Sequence, residues 1–195
     1  LRSELISSPL KTCQICRSKK KTYELFADKL VTPRIYGVAE TKEYPVFLKP
    51  EIGQGSKGTH TAMCQRDVEF YLNKDDSLLC MEYLPGKEFT IDCFTDKGRN
   101  LLYVKGRERR RIANGLCLNG VQRVNEKFHE IAKIINSNLE FRGAWFFQVK
   151  ENRNGDLVLL EIGPRIAGSM ALSRASGVNL PLLTLFERMG KNVSV

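Results

Sequence analysis

No apolar run in the 195-residue chain approaches the roughly 18 residues that a membrane-crossing helix needs. Histidine is scarce, with two in the whole chain, and tryptophan occurs once. Cys13 and Cys16 form a single C-x-x-C with no second pair and no histidine near it, which argues against a structural zinc site. No serine, cysteine or lysine stands in a recognisable nucleophile motif, and no segment repeats. A membrane protein, a zinc module, a solenoid and a covalent-nucleophile enzyme are therefore all poor readings. Six cysteines without a secretory leader read as reduced intracellular thiols, so the expected location is cytoplasmic. The first residue is Leu1 rather than Met, and the expectation is an excised domain or fragment.

What the chain has is positive charge: 31 Lys+Arg against 22 Asp+Glu, a net +9. That favours anionic partners, whether nucleic acid, a membrane surface or phosphorylated small molecules. Part of the charge sits in Lys19-Lys20-Lys21 and in Arg107, Arg109, Arg110 and Arg111. Residues 105–115 contain no aromatic side chain to stack on bases, so nucleic acid ranks last.

Hydropathy patterning gives an α+β chain. Residues 1–17 read as a linker or the remnant of an upstream domain. A helix is expected from Ser18, as cap, to Leu30, with Tyr23, Phe26, Ala27 and Leu30 at helical spacing. Strands are expected over 44–49, 78–83, 88–94 and 101–105, with Phe89, Ile91 and Cys93 on one face of the third. A helix is predicted over 121–138 from Val121, Val124, Phe128, Ile131 and Ile135. Strands 145–150 and 157–162 flank Asn154-Gly155 as a hairpin, and short helices follow over 169–176 and 180–189.

Two constellations carry chemistry. The first is KPEIGQGSKG at 49–58, in which Gly53, Gly55 and Gly58 have G-x-G-x-x-G spacing. A dinucleotide turn needs the first glycine at a strand end and a helix after the last. Pro50-Glu51-Ile52 intervene here, and Thr59-His60-Thr61 starts a helix poorly. A P-loop needs Gly-Lys-Ser/Thr, and a kinase loop wants valine where His60 stands. What remains is Lys49 ahead of a flexible loop containing Ser56, either a phosphate cradle or a glycine-rich turn beside a surface lysine.

The second constellation is the hairpin. A two-residue Asn154-Gly155 turn puts Gln148 opposite Glu161, with Cβ atoms about 5 Å apart. A carboxylate beside an amide oxygen among apolar neighbours suits a hard cation such as Mg²⁺, and Arg165 follows where it can reach a phosphate.

Taken in order, Lys-Pro with the glycine loop, then MEYLPGKEFTIDCF, then Q-V-K…LLEIGPRIAGS resemble the ATP-grasp superfamily. The likeness is to the ATP-binding domain of carbamoyl-phosphate-synthase-like carboxylate–amine ligases, and it runs from about Ser18 to about Met189. It implies two α+β lobes, 18–84 and 85–195, clamping ATP between antiparallel sheets. By that resemblance Lys19 and Lys49 hold phosphates, and Gly53, Gly55, Ser56 and Gly58 form a flap over the γ-phosphate. Glu82, Tyr83 and Leu84 read adenine, and Glu88 binds the ribose. Gln148 and Glu161 ligate Mg²⁺, with Mn²⁺ as a substitute. Arg107 and Arg109 face the substrate or γ-phosphate, and Arg165 matches the arginine of E-I-N-P-R.

The implied activity is an ATP- and Mg-dependent ligase that phosphorylates a substrate carboxylate for capture by an amine or other nucleophile. An upstream domain of the same protein is an implied partner. One residue departs from the pattern: the family's asparagine after the glutamate is Gly163. That motivates an alternative, an ATP-binding module with weak or no turnover.

Overall fold

The computed structural model describes residues 5–37 and 43–195. Two helices open the described chain, α1 (Leu10–Arg17) and α2 (Lys19–Phe26), separated by Ser18. Ser18 is extended and its hydroxyl accepts from the Lys21 backbone N–H at 3.1 Å, so it caps α2 as its residue type predicts. Within the stretch expected to be a linker or the remnant of an upstream domain, Leu10–Arg17 is helical, and Cys16 is buried in the main core. Residues 1–4 of that expected linker lie outside the described residues.

A small sheet follows, made of β1 (Val46–Pro50), β2 (His60–Ala62) and β3 (Leu78–Glu82) in the order β2-β1-β3, with α3 (Gln65–Lys74) joining β2 to β3. Its buried face is Val46, Leu48, Ala62, Leu78 and Cys80, closed by Val68 of α3. Alternation then turns Phe47 and Lys49 to the opposite face.

The larger sheet has five antiparallel strands in the order β6-β5-β4-β7-β8. They are β4 (Glu88–Thr95), β5 (Leu101–Ala113), β6 (Leu116–Arg123), β7 (Gly143–Glu151) and β8 (Leu157–Gly163). Phe89, Ile91 and Cys93 of β4 share one core with Trp145, Phe147 and Val149 of β7. α4 (Glu126–Asn138) covers that face with Phe128, Ile131 and Ile135, each side chain contributing roughly 1.5–3 kcal/mol by burial. Phe26 of α2 enters the same core, so α2 packs under the large sheet although it was assigned to the first lobe. α5 (Ala171–Ala175) and α6 (Leu180–Arg188) end the chain, and Leu180 packs with Phe94 and Ala144 on the opposite face.

Two local expectations are corrected. The helix predicted from 121 begins at Glu126, because Val121 pairs with Glu108 as part of β6 and Asn125 caps α4 through its side chain. Val124 is then solvent-exposed instead of part of an apolar stripe. The 152–156 connection is not a two-residue turn. Asn152 N–H bonds the Asp156 carbonyl, and the Asn152 side chain accepts from the Asn154 and Asp156 amides. The register leaving this loop pairs Lys150 with Val158 and Val149 with Leu159. An irregularity at Leu160 then shifts it by one, and Gln148 meets Glu161 after all.

Candidate active site

A cavity opens between the Phe47–Lys49 face of the small sheet and the edge of the large one. Phe47 and Lys49 line it from β1, Met81 and Glu82 from β3, and Glu88, Gln148, Leu160 and Glu161 from β4, β7 and β8. Phe47 and Met81 are cross-strand partners, so they form one apolar wall. Lys19, at the start of α2, lines the same space and donates to the carbonyls of Glu51 and Gly53 at 3.2 and 3.4 Å. Tyr83 and Leu84 stand where the chain passes from the small sheet to the large one.

The glycine loop closes this space from the side. Gly53, Gly55 and Ser56 line the cavity; Gly58 does not. Gly55 has φ +68° and rests against Gly115, at the tip of the β5–β6 hairpin. A Cβ on Gly115 would lie 2.5 Å from the Gly55 carbonyl carbon, so only glycine permits this approach. Asn114 and Gly115 both have positive φ between the paired residues Ala113 and Leu116, a two-residue hairpin turn.

Charge is distributed unevenly. Lys49 is almost fully buried, and burial pulls its pKa down to about 8, with Lys19 pushing the same way against the opposing pull of Glu161 and Glu88. Its ammonium donates to the Tyr23 hydroxyl at 3.0 Å. Burial lowers the Lys19 pKa as well, opposed by Glu161 and Glu51. Arg109 ties the floor together. One nitrogen donates to Glu88 and to Gln148 Oε1 at 2.9 Å, and another reaches the Gly115 carbonyl at 2.7 Å.

The two arginines of R-x-R part company. Arg109 lines the cavity, whereas Arg107 is buried in a two-pronged ion pair with Asp92 and donates from Nε to Ser169 at 2.9 Å. Arg107 lines neither this cavity nor the wider one beside it. Both arginines stand on the same sheet face, since Arg107 pairs with Thr90. The segment after β8 covers one and leaves the other at the cavity. Arg107 thus stands away from the cavity that Arg109 lines, with three of its five N–H donors held by Asp92 and Ser169.

Arg165 lies in the adjoining wider cavity, its guanidinium 5.1 Å over the Phe146 ring. Arg17 and Lys57 line that cavity too, while Glu161 is its one carboxylate among the described residues. Phe146 pairs with Gly163, and a Cβ at 163 would come within 2.3 Å of the ring. An asparagine does not fit there while Phe146 keeps its position.

Donors suited to Mg²⁺ are the Glu161 carboxylate and the Gln148 amide oxygen, which face one another across β7 and β8. Hard cations of this kind accept few protein ligands when phosphates and water complete the shell, so the pair fits. Among the described residues no group of three His, Cys, Asp or Glu gathers as a metal cluster. Sequence reasoning missed the apolar walls Phe47, Met81 and Leu160, although alternation through Val46–Lys49 marks Phe47 as a partner of Lys49. It also missed the β5–β6 hairpin, which Asn114-Gly115 signals.

A family model described as ATP-grasp in the biosynthetic pathway with Ter operon matches residues 74–195. The chain belongs to this ATP-grasp family. Among curated proteins, the carbamoyl-phosphate synthase of Methanobrevibacter smithii is 29% identical over 203 aligned positions, covering 90% of this chain and 53% of that protein. The large chain of carbamoyl phosphate synthase from Clostridium botulinum is 25% identical, over 78% of this chain and 16% of its own length. D-alanine–D-alanine ligase of Petrotoga mobilis is 27% identical over 51% of this chain and 40% of its own. The chain thus spans about half or less of each of these relatives.

Among solved structures, the biotin carboxylase domain of Hydrogenobacter thermophilus 2-oxoglutarate carboxylase, crystallised with MgADP, ADP and bicarbonate, superposes with TM-score 0.83. It is 17% identical over 97% of this chain and 49% of its own. N5-carboxyaminoimidazole synthetase of Staphylococcus aureus, complexed with ADP, gives TM-score 0.81 at 18% identity, over 96% of this chain and 55% of its own. The ATP-grasp fold expected from the sequence is the fold this chain has.

Proposed function

We propose that the cavity clamps Mg-ATP and that the chain is the nucleotide-binding part of a ligase that activates a substrate carboxylate as an acylphosphate. The observation that carries this reading is convergence. Two lysines, one carboxylate–amide pair and an apolar wall, drawn from α2, both sheets and the glycine loop, line one space. MgADP and ADP in the solved structures of similar fold support the same ligand.

In this reading adenine lies between Phe47 and Met81 on one side and Leu160 on the other, with the 82–84 backbone reading its edge. Lys49 and Lys19 hold the phosphates, and Glu88, kept in place by Arg109, meets the ribose. Glu161 and Gln148 would hold the Mg²⁺, or Mn²⁺ in its place. The bound cation supplies neutralisation of charge on the transferring phosphoryl group.

The wider cavity would receive the acceptor acid. Arg17, Lys57 and Arg165 line it with no carboxylate partner among the described residues, which suits an anion. A carboxylate oxygen attacks the γ-phosphorus, the bond to the β-γ bridging oxygen breaks, and ADP leaves. An amine or other nucleophile then attacks the acyl carbon, phosphate departs, and the nucleophile's proton passes to solvent. This chemistry needs positioning and charge stabilisation and no side-chain nucleophile. A further domain completing the acceptor pocket, and a cytoplasmic location, belong to the same proposal.

Gly163 favours a second reading, a nucleotide-binding module with weak or no turnover, because Phe146 fills the space an asparagine would use. Positional isotope exchange separates the two. With ATP labelled at the β-γ bridge, a panel of carboxylic acids and no amine, reversible acylphosphate formation scrambles the label. Scrambling with at least one acid supports the ligase. Nucleotide binding with no scrambling across the panel leaves the module.

A further inference from the structure

The Tyr23 hydroxyl sits between two parts of the site that belong to different sheets. It accepts from the Lys49 ammonium at 3.0 Å and donates to the Leu160 carbonyl at 2.7 Å. Leu160 is the residue passed over where the β7–β8 register shifts, between the Leu159 and Glu161 pairings. A carbonyl at such an irregularity has left the ladder and can accept from a side chain. The same irregularity carries Glu161 opposite Gln148. Tyr23 is also fixed in place, being 4% exposed on α2, with the Lys49 nitrogen 5.6 Å from its ring centre.

We propose that Tyr23 is a positioning residue, joining Lys49 of the small sheet to the Leu160–Glu161 step of the large one, so that the phosphate-holding ammonium and the carboxylate keep a fixed relation. The inference rests on the nucleotide reading above. Its physical content is twofold. A buried ammonium needs acceptors, and a hydroxyl whose own hydrogen is committed to a carbonyl presents its lone pairs to the lysine. The oxygen therefore holds Lys49 both charged and aimed. Burial keeps the Tyr23 phenol itself protonated, pushing its pKa well up, with Glu161 acting in the same direction. The charged groups facing Lys49 are Lys19 from α2, Glu161 from β8 and Glu88 from β4. Glu82 and Lys150 line the same cavity.

The test is Tyr23→Phe, which keeps the ring and removes only the oxygen. Two measurements are made on wild type and variant: MgADP affinity by calorimetry from pH 6.5 to 9.5, and the Lys49 side-chain titration by NMR without nucleotide. In the wild type, affinity falls as Lys49 loses its proton near pH 8. In Tyr23→Phe, MgADP binds roughly tenfold more weakly at pH 7. Both the affinity midpoint and the NMR titration move to lower pH. Tyr71→Phe, a hydroxyl deletion on α3, leaves both profiles unchanged. A packing role alone would lower unfolding stability with the two midpoints unmoved, and that result overturns the inference while the nucleotide reading stands. Wild type that binds no MgADP overturns the reading and the inference resting on it. An unshifted NMR titration overturns the inference whether or not nucleotide binds.

Discussion

Gly163→Asn tests most directly what holds position 163 to a glycine. A Cβ at 163 would lie 2.3, 2.5 and 2.9 Å from Cε1, Cζ and Cδ1 of Phe146, inside any tolerable contact. The ring is 4% exposed and carries the Arg165 guanidinium above it, so moving it also disturbs that contact. Overpacking of this kind costs about 1–3 kcal/mol. In a chain of this size each kcal/mol lowers the melting temperature by about 2–4 °C. Gly163→Asn should therefore melt roughly 2–12 °C below wild type. The control is the same change in a Phe146→Ala background, which loses ring packing but vacates the space. There Gly163→Asn should cost little, giving a coupling between the two sites of about 1 kcal/mol or more. Urea unfolding of the four proteins supplies the cycle. Equal costs with and without the ring would refute the claim that Phe146 is what keeps residue 163 a glycine.

Two other consequences follow from buried charge. Asp92→Asn strips Arg107 of its counter-charge in a setting where both side chains are almost wholly buried, so urea unfolding should register a loss of about 3–5 kcal/mol. An Asp92→Asn, Arg107→Met double variant should recover part of it, since the orphaned charge is gone. Lys49 makes the apo protein's stability pH-dependent with a definite sign. Its pKa falls from an ordinary 10.5 to about 8 on folding, so between those values the unfolded chain binds more protons. Stability from this group rises with pH across the window, and the advantage of Lys49→Met over wild type, largest below pH 8, should shrink towards pH 10.5.

Much of the cleft was legible in the chain because period-two alternation sorts side chains by face. Lys49 stands two residues after Phe47 on a strand whose other face is Val46 and Leu48, and Glu161 interrupts an apolar run. The Gln148–Glu161 pairing was reached through a turn that does not exist. The longer Asn152–Asp156 loop and the irregularity at Leu160 offset one another, and neither leaves a mark in hydropathy. The arginine run concealed the continuation of β5 beyond residue 105, because Arg107, Glu108 and Arg109 are held by ion pairs instead of apolar burial. The different surroundings of Arg107 and Arg109 come from Ser169 and its neighbours folding over one end of the sheet, a contact between residues 62 apart. The α1 helix was hidden because residues 1–17 mix short apolar and polar pieces without a helical stripe, although Cys16 is a buried core thiol.

The central claim is that Lys49 and Glu161 hold one Mg-nucleotide between the sheets. Thermal unfolding of wild type, Lys49→Ala and Glu161→Ala, each with and without ATP or ADP and Mg²⁺, tests it most directly. At 100 times the dissociation constant a bound nucleotide adds about 2.7 kcal/mol, a rise of roughly 5–10 °C for a chain this long. The wild type should show that rise. Lys49→Ala should lose most of it, and Glu161→Ala should keep only a small, Mg²⁺-independent remainder. A wild type whose melting temperature does not move with nucleotide at saturating Mg²⁺ would contradict the account.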